Sequence, residues 1–157
     1  MERTYLKISV LSLAFSFLLL SIGGEISVAN ASASVAIVKN VNGSATVVRQ
    51  GQNIPATNGI EVWENDTIRT GRNGTIAIVF KDDTFLSLGP GSVLIIDEFV
   101  FAPKQGKFSI VVRMLKGTAA YLSGLIAKLS PDSAHFKTPT ASIGIRGTKF
   151  VARVEGE

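Results

Sequence analysis

The feature that most constrains the fold is the close spacing of chain-reversing residues after residue 34. Short runs rich in Val, Ile and Thr alternate there with breaks that contain Gly, Pro, Asn or Asp. Apolar runs of roughly four to eight residues favour strands, whereas helices usually need roughly ten or more. The pattern therefore predicts an all-β domain, either a compact β-sandwich or a short β-solenoid-like stack of short strands, with little helix.

Recognisable turn sequences separate the predicted strands. We expect a hairpin at Asn42-Gly43, because both central residues of a type I′ turn have positive φ. Further turns are predicted at Asp82-Asp83, Gly89-Pro90-Gly91 and Lys116-Gly117. The predicted strands span residues 35–41, 44–49, 75–80, 84–88, 92–96, 108–115 and 118–122.

One segment has a mixed pattern. Residues 121–129 place apolar side chains at the three- and four-residue spacing of a helix, which is typical of about two helical turns. Gly124 weakens this interpretation, because glycine in a helix is destabilising. The alternative is a strand that ends at Ser123 and a second strand that begins at Ile126.

The N-terminus has the pattern of a secretory signal peptide. Arg3 and Lys7 precede an almost unbroken apolar run over residues 8–22, and small residues follow it. The run is shorter than the roughly twenty residues of a membrane-spanning helix, and an uncleaved anchor is the alternative. We predict a signal peptide over residues 1–31, with cleavage after Ala31 or Ala33. This predicts a periplasmic, secreted or cell-envelope protein of a bacterium.

Composition excludes several functional classes. The chain has no Cys, so it has neither a disulfide framework nor a thiol nucleophile. The formal net charge is +4, and the basic residues are scattered singly. Because nucleic-acid binding requires a concentrated basic face, we predict no nucleic-acid partner. We also expect no integral membrane span once the signal peptide is removed.

The sequence offers few catalytic residues. The single His, His135, stands alone, and none of the common nucleophile, metal or phosphate-loop motifs occurs. Asp82-Asp83 and Asp97-Glu98 are acidic pairs, but adjacent strand residues point to opposite faces. We predict a turn role for the first pair, and no metal site, cofactor or enzymatic activity. The alternative is a small envelope glycan hydrolase that pairs Asp83 with Asp97 or Glu98.

Residues 136–154 contain the charged residue of most interest, Arg146. Gly144 and Arg146 share one face of a predicted strand, so we expect the Arg146 side chain to lie along the bare backbone at Gly144. Gly147 then permits a bulge or a sharp bend. The segment therefore predicts an arginine held in a defined position between two glycines.

Two hypotheses describe what Arg146 contacts. Arginine forms two-pronged, charge-assisted bonds to carboxylates, so the first hypothesis is an internal clamp to Asp83 or Asp97. The second hypothesis is a docking point for an anionic ligand or partner. The aromatic residues have two interpretations as well, because they form either a sugar-stacking platform or part of the core. They are Trp63, Phe99, Phe101 and Tyr121.

Several motifs occur in an order that resembles the FecR domain. They are Val41-Asn42-Gly43-Ser44-Ala45-Thr46-Val47-Val48-Arg49, Asp66-Thr67-Ile68-Arg69-Thr70-Gly71, Phe80-Lys81-Asp82-Asp83-Thr84, Leu88-Gly89-Pro90-Gly91-Ser92, Leu115-Lys116-Gly117, and Thr138-Pro139-Thr140-Ala141 through Ile145-Arg146-Gly147-Thr148-Lys149-Phe150. The resemblance implies a FecR-like β-domain over residues 35–154. Its candidate interaction or fold-signature residues are Thr138, Pro139, Gly144, Arg146, Gly147, Thr148 and Asp83. Asp83 stands where the family usually has Gly, so a different turn type is expected there.

The resemblance also implies a role in the bacterial envelope. The regulators that give the family its name sit in the inner membrane, sense a signal relayed by an outer-membrane receptor and control a sigma factor. Few residues precede the apolar run of this chain, so we expect a stand-alone exported domain without an anti-sigma region. We predict a non-enzymatic interaction or signalling module that binds an envelope protein or glycan. A purely structural envelope component is a further alternative.

Overall fold

The computed structural model describes residues 33–147 and 149–156, and over this part of the chain the fold is all-β, as predicted. The helical elements there are one short helix, α1 (Leu125–Leu129), and 3₁₀ turns at Pro103–Gln105 and Pro131–Ser133. The predicted signal peptide lies outside the described residues, as does Thr148. The strands are β1 (Ala36–Asn42), β2 (Ala45–Arg49), β3 (Gln52–Pro55), β4 (Glu61–Val62), β5 (Thr67–Thr70), β6 (Thr75–Phe80), β7 (Phe85–Leu88), β8 (Val93–Ala102), β9 (Lys107–Leu122), β10 (Ala134–Lys137), β11 (Ser142–Gly144) and β12 (Lys149–Val154).

These strands form one curled sheet. Its main path runs β3-β2-β5-β8-β9-β7-β6-β1-β4, and neighbours on this path are antiparallel. On the other side of β9, β10 pairs in parallel and β12 pairs antiparallel. β11 pairs with β10. The sheet therefore consists of two halves that share β9.

Strand β9 passes from one half to the other without ending. Residues 107–116 pair with β8, whereas residues 119–122 pair with β7. Between them Gly117 has a φ of +98°, and a Cβ at this position would collide with Ser92. Glycine adopts this left-handed backbone without a steric penalty, so the strand bends here and continues. The turn predicted at Lys116-Gly117 is therefore wrong.

The core lies between the inner faces of the two halves. Alternate residues of the strands are buried, as the two-residue period of a strand requires; β6, for example, buries Ile76, Ile78 and Phe80. The ring of Phe80 stacks on that of Phe99 in β8, with the centroids 5.5 Å apart. Buried side chains of both halves form one hydrophobic cluster, so the described chain folds around a single core.

The hairpin predicted at Asn42-Gly43 is absent from the described structure. Gly43 has the expected positive φ of 66°, but β1 pairs with β4 and β6, and β2 pairs with β3 and β5. The turn therefore carries the chain from one half of the sheet to the other. A sequence signal for chain reversal does not specify which strands pair.

The mixed segment combines one part of each prediction, and the second strand predicted from Ile126 is wrong. β9 continues to Leu122, and α1 then forms a short helix that buries Ile126 and Ala127. A Cβ at Gly124 would collide with the backbone of Asp82, which explains the glycine at the helix start. Within residues 33–147 and 149–156, no helix has the length and apolar character needed to cross a membrane.

Candidate functional site

We call residues 136–154 the signature segment, and its inner side is apolar. Phe136 and Ile145 are buried, at 0% and 1% exposure. The Phe136 ring meets Tyr121 of β9 edge-on at 6.2 Å and Phe150 of β12 at 5.3 Å. Phe150 in turn stacks on Tyr121 at 5.2 Å. These contacts hold the inner side of the signature segment against the core.

The outer side of the signature segment is exposed. A tight turn carries the chain from β10 to β11, because the backbone N–H of Thr138 donates to the carbonyl of Ala141 at 2.8 Å. The Ala141 N–H donates back to the Thr138 hydroxyl at 3.0 Å, and Pro139 lies within this turn. All three residues of β11 are exposed. The segment therefore presents a hairpin above a fixed apolar base.

Arg146 lies at the surface, next to the buried Ile145. Its side chain is 77% exposed, and its Nη2 donates to Asp132 Oδ1 at 3.1 Å. Asp132 is 89% exposed, so the pair is solvated on both sides. The predicted clamp to Asp83 or Asp97 is wrong, because Arg146 contacts neither of them in the described structure. Because the Arg146 side chain is exposed, it is accessible to an anionic ligand or partner, as the docking hypothesis requires.

The glycines around Arg146 have different roles from those predicted. A Cβ added at Gly144 would meet no described atom within 4 Å, so the Arg146 side chain does not lie along the backbone there. Gly147 has a φ of 60°, which agrees with the predicted bend after Arg146. Gly144 therefore leaves open space on the exposed strand, and Gly147 sets the direction of the chain.

Asp83 and Asp82 have turn roles, as predicted. Asp83 has a φ of 66°, the left-handed conformation that glycine favours and that Asp tolerates. Asp82 is fully buried, and its Oδ2 accepts bonds from the Thr84 hydroxyl at 2.8 Å and the Ile126 N–H at 3.2 Å. Asp82 therefore fastens the β6–β7 turn to the start of α1, and Asp83 gives the turn its left-handed residue.

The internal clamp of this domain is formed by Arg49 and Asp66. Arg49 donates from Nε and Nη2 to the two Asp66 carboxylate oxygens at 2.9 and 2.8 Å. The guanidinium also lies 4.0 Å from the ring centroid of Trp63, and the backbone N–H of Trp63 donates to Asp66 Oδ2 at 2.8 Å. The hydrogen bond to Asp66 raises the pKa of Arg49 above its ordinary value. Both residues stand in motifs of the sequence, but no sequence signal shows that they meet.

The remaining acidic and basic residues that the structure describes form local contacts. Asp97 on β8 accepts a bond from Arg113 at 2.7 Å, and β9 lies between β8 and β7, the strand that follows the turn of Asp83. Nε2 of His135 lies 3.0 Å from the Asp132 carbonyl. Among the described residues, no group of three or more His, Asp or Glu side chains is arranged to hold a metal ion.

The aromatic residues do not form a common platform. Tyr121 is 1% exposed and belongs to the core; burial raises the pKa of its hydroxyl, which has no hydrogen-bond partner in the described structure. Phe99 and Phe101 line a shallow groove of about 370 Å³, whereas Trp63 stacks on Arg49. The core interpretation therefore holds for Tyr121 and Phe99, and Phe101 packs against the core. The four aromatic residues do not form the predicted sugar-stacking platform.

A second groove lies beside the signature segment. It has a volume of about 430 Å³, and Thr138 and Pro139 form one wall. Leu115, Arg153 and further residues of the last strand form the other wall. The candidate residues thus lie in two places: Thr138, Pro139, Gly144, Arg146 and Gly147 share the signature segment, and Asp83 lies in a separate turn.

Comparison with known proteins identifies a family for this chain. The sequence profile of the FecR protein family matches residues 66–157, which is more than half of the chain and contains the whole signature segment. The match begins at the clamp residue Asp66, so the resemblance predicted for the earlier strands lies outside it. No curated protein and no solved structure gives a match. The chain belongs to the FecR protein family.

Proposed function

We propose that this protein is a non-enzymatic signalling module of the bacterial cell envelope that binds a protein partner through the outer side of the signature segment. Membership of the FecR family supports a signalling role and an envelope location. A periplasmic site for the domain follows from the predicted signal peptide. Protein binding is the finer part of the proposal, and it depends on the surface.

The observation that carries the proposal is the contrast between the two sides of the signature segment. Ile145 is 1% exposed, whereas Arg146 beside it is 77% exposed. A solvated ion pair such as Arg146–Asp132 contributes little to stability, typically about 0–1 kcal/mol. The fold therefore holds Arg146 in place without depending on it, which suits a residue that recognises a carboxylate on another molecule.

A photo-cross-linking experiment tests this proposal. A cross-linking amino acid replaces Ile143, which is 40% exposed on β11 and lies close to Arg146 in sequence. The protein is produced in its bacterial host and irradiated in intact cells. We expect a cross-linked adduct that glycan hydrolases leave unchanged and that yields peptides foreign to this chain, and an adduct yield about tenfold lower with Arg146→Ala, since a charge-assisted bond lost at an interface costs about 1.5–3 kcal/mol.

Arg72→Ala is the matched control, because Arg72 is also exposed but lies in the turn before β6. It removes the same charge, and we expect it to leave the adduct yield unchanged. Equal yields from wild type and Arg146→Ala, both folded by circular dichroism, would overturn the role of Arg146. An adduct whose added mass is removed by a glycan hydrolase would replace the protein partner with a glycan.

A further inference from the structure

The described sheet has four edge strands, and they differ in how well they are protected. β3 ends in Pro55, which lacks an N–H donor, and β4 has only two residues. β11 has three residues. β12 has six residues, contains no Pro and pairs only with β9. Long unprotected edges are surfaces for pairing with another chain, so β12 is the edge best suited to receive a strand.

The side chains of β12 alternate between two environments. Phe150, Ala152 and Val154 are partly buried and pack on the core. The residues between them point outward: Lys149 and Arg153 are exposed, and Val151 is 67% exposed. Neither Lys149 nor Arg153 forms an ion pair with a described residue. The exposed side chains along β12 are therefore basic at Lys149, apolar at Val151 and basic at Arg153.

This charge pattern disfavours pairing with a second copy of the chain. In an antiparallel pair centred on Val151, Lys149 of one copy would lie opposite Arg153 of the other. In a parallel, in-register pair, each basic residue would lie opposite itself. Like charges directly opposite each other across a strand pair are destabilising, so both arrangements place repulsion at each end.

The same pattern favours a strand with acidic residues at matching positions. Opposite charges on directly paired residues stabilise a sheet, and an apolar residue between them would cover Val151. The outer face of the sheet continues this apolar surface, because Lys149 pairs with Leu122 and Leu122 with Phe85. Both of these side chains are exposed, at 47% and 37%.

We propose that the free edge of β12 binds an extended segment of a partner protein in which two acidic residues flank three apolar residues. The acids meet Lys149 and Arg153, the central residue covers Val151, and the other two extend the inner apolar side. The pattern is symmetric, so either strand direction satisfies it. This inference rests on the proposed function in that the partner is a protein.

Synthetic peptides test the charge pattern directly. In the probe peptide, two glutamates flank three valines, with Ser and Gly at the ends for solubility; in the comparison peptide, lysines replace the glutamates. We expect the wild-type protein to bind the glutamate peptide about tenfold more tightly than the lysine peptide. The double variant Lys149→Glu/Arg153→Glu should reverse this preference. Amide exchange should slow at alternate residues of β12, as main-chain pairing requires.

A control variant and one neutral variant complete the test. Lys39→Glu/Arg69→Glu makes the same change in net charge at exposed positions of β1 and β5, and it should keep the wild-type preference. If Lys149→Glu/Arg153→Glu fails to fold, Lys149→Gln/Arg153→Gln takes its place. This variant should lose the preference for the glutamate peptide without gaining one for the lysine peptide. Equal binding of the two peptides, no binding of either, or protection away from β12 would overturn the inference. If Lys149→Glu/Arg153→Glu still gives the cross-linked adduct at Ile143, the proposed protein binding at the signature segment stands. Binding of that partner at the β12 edge is then overturned.

Discussion

Arg49 and Arg146 both bind an aspartate, but the two ion pairs differ in how far they are buried. Arg49 is 22% exposed and holds both oxygens of the buried Asp66. Arg146 is 77% exposed and touches one oxygen of an equally solvated Asp132. A buried pair is costly to break, because removal of one partner leaves an uncompensated charge. An exposed pair is screened by water, so Arg49 holds the fold while Arg146 is available to bind.

The largest expected effect tests what fastens the signature segment. Phe136→Ala should lower the free energy of unfolding by about 3–5 kcal/mol, because it opens a cavity among Tyr121, Phe150 and the β10 backbone. Phe85→Ala is the control, since Phe85 is 37% exposed and should lose less than half as much. Urea denaturation measures both variants. A loss below about 1 kcal/mol for Phe136→Ala would show that the apolar base does not anchor the segment.

The next effect tests the buried clamp. Arg49→Ala should lower the free energy of unfolding by about 3 kcal/mol, because Asp66 stays buried without its cation. Arg49→Lys keeps the charge but loses the two-pronged geometry, so we expect about half of that loss in the same urea titration. If the lysine variant matches wild type, the charge alone is sufficient and the two-pronged geometry contributes nothing.

A smaller, pH-dependent effect concerns Tyr121, beneath the signature segment. Burial raises its folded pKa above the unfolded value of about 10, so only the folded state keeps the proton as the pH rises past that value. Stability is complete below about pH 10 and is lost as pH rises through the folded pKa, by up to about 1.4 kcal/mol per pH unit. Tyr121→Phe should match wild type within about 0.5 kcal/mol at pH 7, and it should weaken this alkaline loss. Thermal denaturation of wild type and Tyr121→Phe at pH 8 and pH 11 measures the alkaline loss of stability. The same loss in both proteins would contradict the prediction.

The smallest effect completes the comparison of the two arginines. Arg146→Ala should change the free energy of unfolding by less than about 0.5 kcal/mol, since its ion pair is solvated. Asp132→Ala should behave alike, and neither variant should respond to added salt differently from wild type. A loss near that of Arg49→Ala would make Arg146 a second clamp and would remove the basis for the docking hypothesis.

Local features of the fold could be predicted from the sequence. β6 begins after Asn73-Gly74, and the Asp82-Asp83 turn joins it to β7, because turn residues act on their immediate neighbours. A positive φ at glycine occurs in a bend as well as in a chain reversal, so the sequence alone does not distinguish the two at Gly117. What the sequence does not encode locally is strand pairing, which depends on contacts between distant segments.

The candidate site divides in the same way. The sequence indicated that residues 136–154 were unusual, and the FecR match contains all of them. It did not identify the partner of Arg146, because a two-pronged bond requires a carboxylate in one particular place. Arg49 and Asp66 are 17 residues apart in sequence, and only the packing of β2 beside β5 brings them together. Side-chain pairs of this kind follow from topology.

The continuous strand β9 has a consequence for how the domain folds. Two earlier strands of the main path, β8 in one half of the sheet and β7 in the other, gain their last neighbour only when residues 107–122 are in place. Pairings between such distant segments form slowly, because the loops between them must close first. During synthesis the N-terminal strands are made first, so they have unpaired edges until β9 is made. Such edges favour aggregation. A chaperone that covers β7 and β8 during this interval would protect the two edges that β9 later pairs.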